Sequence, residues 1–549
     1  MAEHALRFDD NPRVAYFSME MALESGMSTY AGGLGVLAGD VVRSAADLEL
    51  PVIGVTLVSH AGYFKQVIQG SGQQLELPDA WQVSAYAQRL GTKVLINLEN
   101  RPVWIGGWLY QVAGHQESSV PVILLDTDML ENRLEDRILT SYLYGGDQMY
   151  RLKQEAVLGI GGVRMLRALS IRVRCYHMNE GHSAFLGLES QRCGESARRV
   201  FTTHTPVDAG HDRFPYSLVR QVLTDYCPKK RLQNLAGTES LNMTRLALSM
   251  ADYVNGVALR HADVSQRLYP EYKVQAVTNG VHPLTWTSEP MRRLYDRHCS
   301  GWHHRPDLLM HAEIIPAQEL WDAHVSAKRA LIGLVQDRGG PPLDEDVPIV
   351  GFARRMTAYK RATLLFTDLE RLRRIARIHP FQIVIAGKAH PNDQEGKRII
   401  EQLHQHAVVL ADTIKVAFIQ NYDMNIALAM VSGSDVWLNT PMPPQEASGT
   451  SGMKAAFNGV PNLSVLDGWW LEGCIEGVTG WAIGTDSQAG DDTHAASLYQ
   501  KLEGLVLPLW HDNREGWVQL MKGAIGRNAN FFNSHRMMRH YAAEAYLLN

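Results

Sequence analysis

The segment Glu446-Ala-Ser-Gly-Thr-Ser-Gly-Met-Lys454 sets one lysine just inside an expected helix, after a loop of glycine, serine and threonine. Free N–H groups at a helix start, glycines that let the chain pass close, and hydroxyl side chains together make a cradle for phosphate. Gly449 and Gly452 supply the backbone freedom, Met453-Lys-Ala-Ala-Phe457 reads as helix, Thr450 or Ser451 serves as N-cap, and Asn458-Gly459 ends it. A lysine there has two uses. It pairs with a phosphate as a point charge, or it loses its proton in a desolvated site and condenses with an aldehyde as a Schiff base. Taken alone, the segment is equally a glycine-rich turn with a solvated lysine.

A second group, Arg354-Arg-Met-Thr-Ala-Tyr-Lys-Arg361, carries four cations in eight residues directly after an apolar run that ends at Ala353. Arginine forks and compact lysine charges at the carboxyl end of a strand suit phosphate recognition. The plain alternative is a solvated helix start, but cations there oppose the macrodipole, which favours a bound anion. Tyr30-Ala-Gly-Gly-Leu-Gly-Val-Leu-Ala-Gly-Asp40 is a glycine loop opening a helix, without the spacing of a dinucleotide fingerprint. His204 in Phe201-Thr-Thr-His-Thr-Pro206 and Glu180 and His182 in Met178-Asn-Glu-Gly-His182 stand just past expected strand ends. Two histidines on loops of one cleft suit sugar-hydroxyl binding or proton transfer. The spacing of His204 and His211 fits no standard zinc pattern, so no metal is expected. Trp469-Trp470 reads as core.

The elements that must position these groups alternate between strand and helix. Apolar runs at Arg13–Phe17, Pro51–Val58, Val120–Leu125 and Val200–Thr203 are matched in the second half by Val347–Ala353, Phe381–Ala386, Thr413–Phe418 and Ser434–Leu438. This predicts an α/β protein of two doubly wound parallel sheets with helices on both faces. The turn cluster Thr278-Asn-Gly-Val-His-Pro283 marks the boundary, dividing the chain into residues 1–282 and 283–526. Residues 527–549, aromatic, basic and helical, are expected to cross back onto the first unit. Two such units facing each other gather their βα loops around a shared cleft.

Composition excludes several classes. With 45% hydrophobic and 20% charged residues the 549-residue chain is of ordinary globular make-up. Its formal charge of −5 argues against nucleic acid as a partner while allowing a local basic pocket. No apolar run reaches membrane-spanning length, and Met1–Asp10 is too polar for a signal peptide, so a cytoplasmic protein is expected. Five scattered cysteines without C-x-x-C spacing read as reduced thiols.

Together with Val277-Thr-Asn-Gly-Val-His-Pro-Leu-Thr-Trp286, Gly32-Gly-Leu-Gly35 and Phe201-Thr-Thr-His-Thr205, the two loops resemble, in order, the motifs of the pyridoxal-phosphate-dependent α-glucan phosphorylases. The resemblance implies the GT-B fold, pyridoxal 5′-phosphate as cofactor, and Lys454 as its Schiff-base lysine. By the same resemblance, Arg354, Thr450, Ser451, Gly32 and Gly33 surround the cofactor phosphate, and Trp286 and Tyr422 neighbour the cofactor. Arg355 and Lys360 are similar to the residues that hold the substrate phosphate. Asn279, His204, Glu446, Ser448, Gly449 and Tyr359 resemble those that bind the hydroxyls of the transferred glucose, and Leu34 lies beside its anomeric centre.

The implied reaction is retaining phosphorolysis of an α-1,4-glucan such as maltodextrin or glycogen by inorganic phosphate, giving α-D-glucose 1-phosphate, with the cofactor's phosphate as proton relay. A homo-oligomer is compatible with it. The chain departs from the long animal-type pattern: Val36 replaces a usual arginine, Thr357-Ala358 a His-Glu pair, and Leu143–Asp147 is a shortened gate. The sequence is also much shorter than that pattern and begins almost at its first strand, so regulation by N-terminal phosphorylation and nucleotides is expected to be missing. The competing readings are a nucleotide-sugar glycosyltransferase of the same fold, a non-catalytic carbohydrate-binding homologue, and an enzyme using the cofactor ring as electron sink, which lacks an identifiable acidic partner.

Overall fold

β-Branched and aliphatic runs of five to eight residues are long enough to cross a sheet and too short for a buried helix, and the chain folds accordingly. The computed structural model describes residues 13–116, 118–207, 210–485 and 490–548. The Met1–Asp10 segment lies outside them.

A ten-stranded sheet is built from the first half. β1 (Arg13–Phe17) pairs in parallel with β2 (Val52–Leu57) on one side and with Val173–Asn179 on the other. Beyond β2 comes Ser119–Asp126, and beyond Val173–Asn179 come Arg198–Thr202, Tyr253–Gly256 and Val274–Ala276, all parallel. The sheet is not parallel throughout. Arg101–Ala113 runs antiparallel to Ser119–Asp126 and carries two short antiparallel neighbours, Gln88–Arg89 and Val94–Leu98. The expectation of uninterrupted βα alternation fails over residues 65–113 because tight turns join antiparallel strands there, where a parallel pair needs a longer crossover.

The second half forms a six-stranded, wholly parallel sheet in the order Val416–Ile419, Gln382–Ala386, Ile349–Ala353, Val436–Asn439, Asn462–Val465, Gly480–Ile483. In both sheets the chain winds outward from a central strand, first one way and then the other. The reversal leaves a crevice at the carboxyl ends of the two central strands, where open α/β sheets bind ligands. One crevice lies after β1 and Val173–Asn179, the other after Ile349–Ala353 and Val436–Asn439. The glycine loop and Glu180–His182 follow the first pair; the cationic loop and the Glu446–Lys454 loop follow the second.

Helix α1 (Gly33–Asp47) packs Leu37, Val41 and Ala45 on Val14, Tyr16 and Val52, and the same core takes in Met537, Met538 and Tyr541 from the chain's last helical stretch. Tyr541 and Tyr546 from that stretch reach hydrogen-bonding distance of Thr202 (3.1 Å), Asn255 (2.9 Å) and His177 (2.7 Å). An antiparallel hairpin, Lys65–Ile68 with Gln74–Leu77, also spans from the first half to the second. Gln66 and Asn421 exchange backbone-to-side-chain hydrogen bonds of 3.0 and 2.8 Å, while the Gln74 side-chain amide donates to the Ala389 carbonyl at 3.0 Å and accepts from its N–H at 2.9 Å. Trp469 and Trp470 are buried in core, and the five cysteines are unbridged. Among the described residues no helix is long and apolar enough to cross a membrane.

Candidate active site

Lys454 stands in the helix Ser451–Ala456, which follows Thr450 at the N-cap position; the Thr450 side chain makes no capping bond. Ser451 Oγ instead accepts from Trp437 Nε1 at 3.0 Å. Gly449 has φ +83°, a left-handed conformation that favours glycine, and Gly459 (φ +70°) ends the helix as expected. The lysine is buried, its Nζ 3.7 Å from the centroid of the Trp286 ring. Burial, with Arg43 adding to it and Asp40 opposing, pushes the amine's pKa down to about 8. Trp286 is fixed in turn by its Nε1, which donates to both oxygens of Asp40 at 3.0 and 2.9 Å. Asp40 lies on α1, so the glycine-led helix of one sheet orients the ring under the lysine of the other.

The cationic loop corrects one step of the sequence reading. No helix follows Ala353; Ala358–Lys360 is a single 3-10 turn and Arg361 takes φ +47°. The macrodipole argument for a bound anion therefore lapses. The four cations also divide their tasks. Arg361 is structural: it donates to Thr440 O (2.9 Å) and Asp491 (2.7 Å). Arg354 Nη2 donates to Glu446 Oε2 at 2.6 Å, and Lys360 Nζ donates to the same oxygen. Burial raises the Glu446 pKa, but Arg354 and Lys360 pull harder and leave it below the ordinary glutamate value. Arg355 is exposed, and its charge acts on Tyr63 and His390. Lys360 Nζ also lies 4.4 Å from the Tyr359 ring centroid. Tyr359 faces a cleft of about 640 Å³ shared with Glu395, Arg398 and Asp491, whose walls do not include Lys454.

The histidines separate as well. His204 Nε2 donates to Asn179 Oδ1 at 2.7 Å, and its backbone N–H donates to Glu180 at 2.8 Å. Burial lowers its pKa to about 4, so the imidazole is neutral near pH 7 and suits hydrogen bonding better than proton donation. Glu180, at φ +69°, is held by this and by Thr205 (3.0 Å). His182 pairs with Asp212 at 3.3 Å, in a cluster with Arg151 and Tyr144.

Tyr144 leads to a residue that the motifs did not point to. Glu20 accepts from Tyr144 OH at 2.8 Å and from the backbone N–H groups of Ala31 (2.6 Å) and Gly32 (3.1 Å). A carboxylate thus occupies the first amides of the glycine loop. Its only sequence signal is a charge in the apolar context Ser18-Met-Glu-Met21, a sign of a buried, partnered acid. Asp467 is another. It accepts from Glu446 N at 2.9 Å, and burial raises its pKa to about 6.

Three buried polar atoms here have no hydrogen-bond partner among the described residues: Arg354 Nη1, Ser448 Oγ and Asn279 Oδ1. A side chain at Gly32 or Gly33 would meet nothing within 4 Å, so the loop leaves open space in front of it. Tyr422 is partly buried and senses the charges of Arg354 and Asp423; Leu34 is partly exposed beside the glycines. Orphaned donors and acceptors, open space and a lysine of lowered pKa fit an anionic, carbonyl-bearing group.

Comparison with known proteins agrees with this geometry. A family described as carbohydrate phosphorylase matches residues 17–101 and 207–478. A maltodextrin phosphorylase from Thermococcus litoralis is 39% identical over 97% of this chain and 70% of its own length. Glycogen phosphorylases from Aquifex aeolicus and Mycobacterium tuberculosis are 36% and 34% identical over 97% of this chain, covering 86% and 70% of theirs.

Proposed function

The chain belongs to the carbohydrate phosphorylase family and has its GT-B fold, and we propose that it cleaves α-1,4-glucans with inorganic phosphate to α-D-glucose 1-phosphate, retaining the anomeric configuration. The observation that carries this reading is Lys454, buried over Trp286 with its pKa near 8, at the end of a loop whose first residue, Glu446, gathers two cations on one carboxylate.

The residues present fit pyridoxal 5′-phosphate. Lys454 would hold its aldehyde, Trp286 and Tyr422 its ring, and Arg354, Thr450, Ser451 and Gly33 its phosphate, with Gly32, whose N–H is taken by Glu20, contributing open space beside it. When bound, the cofactor supplies a phosphate monoester whose second pKa of about 6 suits proton exchange near neutral pH.

The chain's own residues do the rest. Arg355, exposed on the loop, and Lys360 neutralise substrate phosphate, which would otherwise be repelled by a second phosphate nearby. Arg354 Nη1 has a donor to spare while Nη2 stays on Glu446. Neutral His204, oriented by Asn179, hydrogen-bonds a sugar hydroxyl, and Ser448, Gly449, Asn279, Tyr359, Glu446 and His182 complete the sugar site around Leu34. In this reading residues 1–282 carry the glucan and 283–526 the cofactor, with 527–549 crossing back, as the Tyr541 contacts support. The reaction belongs in the cytoplasm, in keeping with the unpaired cysteines.

The test is incubation of the purified protein with maltoheptaose and phosphate. Glucose 1-phosphate should form only when phosphate is present, and Lys454→Ala should form essentially none. Transfer from a nucleotide-sugar without phosphate would replace this reading with another.

A further inference from the structure

Away from these loops, three imidazoles meet at the surface where two distant segments touch. His115 follows the long strand Arg101–Ala113, and His303 and His304 follow the helix Glu289–His298. The ring centroids are 4.0 Å apart for His115 and His303, 5.1 Å for His115 and His304, and 4.7 Å for His303 and His304. Each ring offers a nitrogen within 4.8 Å of the others. We propose that His115, His303 and His304 form a site for one divalent transition ion of the zinc class.

Both segments are pinned. The backbone N–H of His115 donates to Asp47 Oδ1 at 2.8 Å, and Arg539 Nη2 donates to the carbonyl of His304 at 3.1 Å. The Gln116 amide nitrogen lies 2.8 Å from His304 Nε2. An amide N–H only donates, so this imidazole nitrogen is unprotonated and accepts with its one lone pair, and an ion that binds there displaces the Gln116 amide. Three nitrogens at about 2.0–2.1 Å from zinc stand roughly 3.3 Å apart, so small side-chain rotations close the set. His115 is exposed and the other two half-buried, which leaves solvent to fill the fourth position.

A nearby trio, Asp47, His282 and His535, lacks these properties. Its three side chains are buried, and Asp47 Oδ2 already takes both imidazoles at 2.8 and 3.1 Å, while His282 Nδ1 is engaged by Thr285. Both imidazoles thus spend Nε2 on the carboxylate, and of their nitrogens His535 Nδ1 alone is left without a partner among the described residues. Three imidazoles from two segments, without carboxylate or thiolate, suit zinc, nickel or copper over magnesium or calcium.

The experiment uses full-length protein without a polyhistidine tag, stripped with a chelator and exchanged into phosphate-free buffer. Cobalt(II) is titrated while its visible absorption is followed, and zinc affinity is measured against a chromophoric chelator. One ion per chain is expected, binding in the micromolar range or tighter and weakening as acid protonates the imidazoles. His115→Ala and His303→Ala should each lower affinity roughly tenfold or more, and His406→Ala should not. Absence of stoichiometric binding would overturn the proposal, as would binding that persists in His115→Ala/His303→Ala with the wild-type spectrum.

Discussion

Lys454 Nζ lies 3.7 Å from the centre of the Trp286 ring, and Trp286 is tied by its indole N–H to Asp40 on α1. The contact joins a helix behind one sheet to a helix start behind the other. The reactivity of the lysine therefore depends on residues from both halves of the chain.

Asp40 is negative and raises the Lys454 pKa, against the dominant lowering by burial. Asp40→Asn should move that pKa further below 8. The rate of reductive methylation at Lys454 as a function of pH, followed by peptide mapping, should shift its midpoint to lower pH. An unchanged or raised midpoint would show that Asp40 does not act on the amine.

Burying Lys454 also has a stability signature in the cofactor-free protein. Its folded pKa is about 8 against an ordinary 10.5, so between these values the unfolded chain binds more protons and stability rises with pH. Below pH 8 the wild type carries the full penalty, on the order of 3 kcal/mol, and above 10.5 it carries none. Lys454→Met should be the more stable protein at pH 7.5, with the difference shrinking toward pH 10.5, as read from urea midpoints.

Glu446 lies between Arg354 and Lys360, so Glu446→Gln leaves two buried cations without their counter-charge. A loss of about 3 kcal/mol is expected near neutral pH. Because the Glu446 pKa is held below its ordinary 4.5, this contribution is present above that value and fades as pH falls through the folded pKa. Wild-type and variant urea midpoints should converge in acid. Added inorganic phosphate should recover part of the loss in the variant.

The positions of these groups were legible in the sequence to the extent that chemistry follows chain order. A strand end, a glycine and a cation are local signals, and both switch-point loops could be read from them. The partners of those groups were not legible. Nothing near Lys454 in the chain announces Trp286 or Asp40, and the role of Glu20 depends on which amides the fold brings to it. The antiparallel strands Lys65–Ile68, Gln74–Leu77 and Val94–Leu98 escaped because short, half-exposed alternation carries a weaker signal than a buried apolar run. Family resemblance named Trp286; only the folded geometry showed what holds it.

The hairpin that spans the two halves gives a mechanical prediction. The Gln66 and Gln74 side chains are buried and pair with backbone groups of Asn421, Gly387 and Ala389. Gln66→Ala/Gln74→Ala leaves those backbone groups unpaired, at about 1–3 kcal/mol each. Calorimetry should show one unfolding transition for the wild type and two for the double variant, as the sheets lose their coupling.

The central claim is that Lys454 carries the cofactor, and borohydride reduction of the active holoenzyme followed by peptide mass mapping tests it most directly. A stable pyridoxyl-phosphate adduct should appear on the peptide containing Lys454, at one per chain. An adduct confined to another lysine, or none in protein that still forms glucose 1-phosphate, would contradict the account.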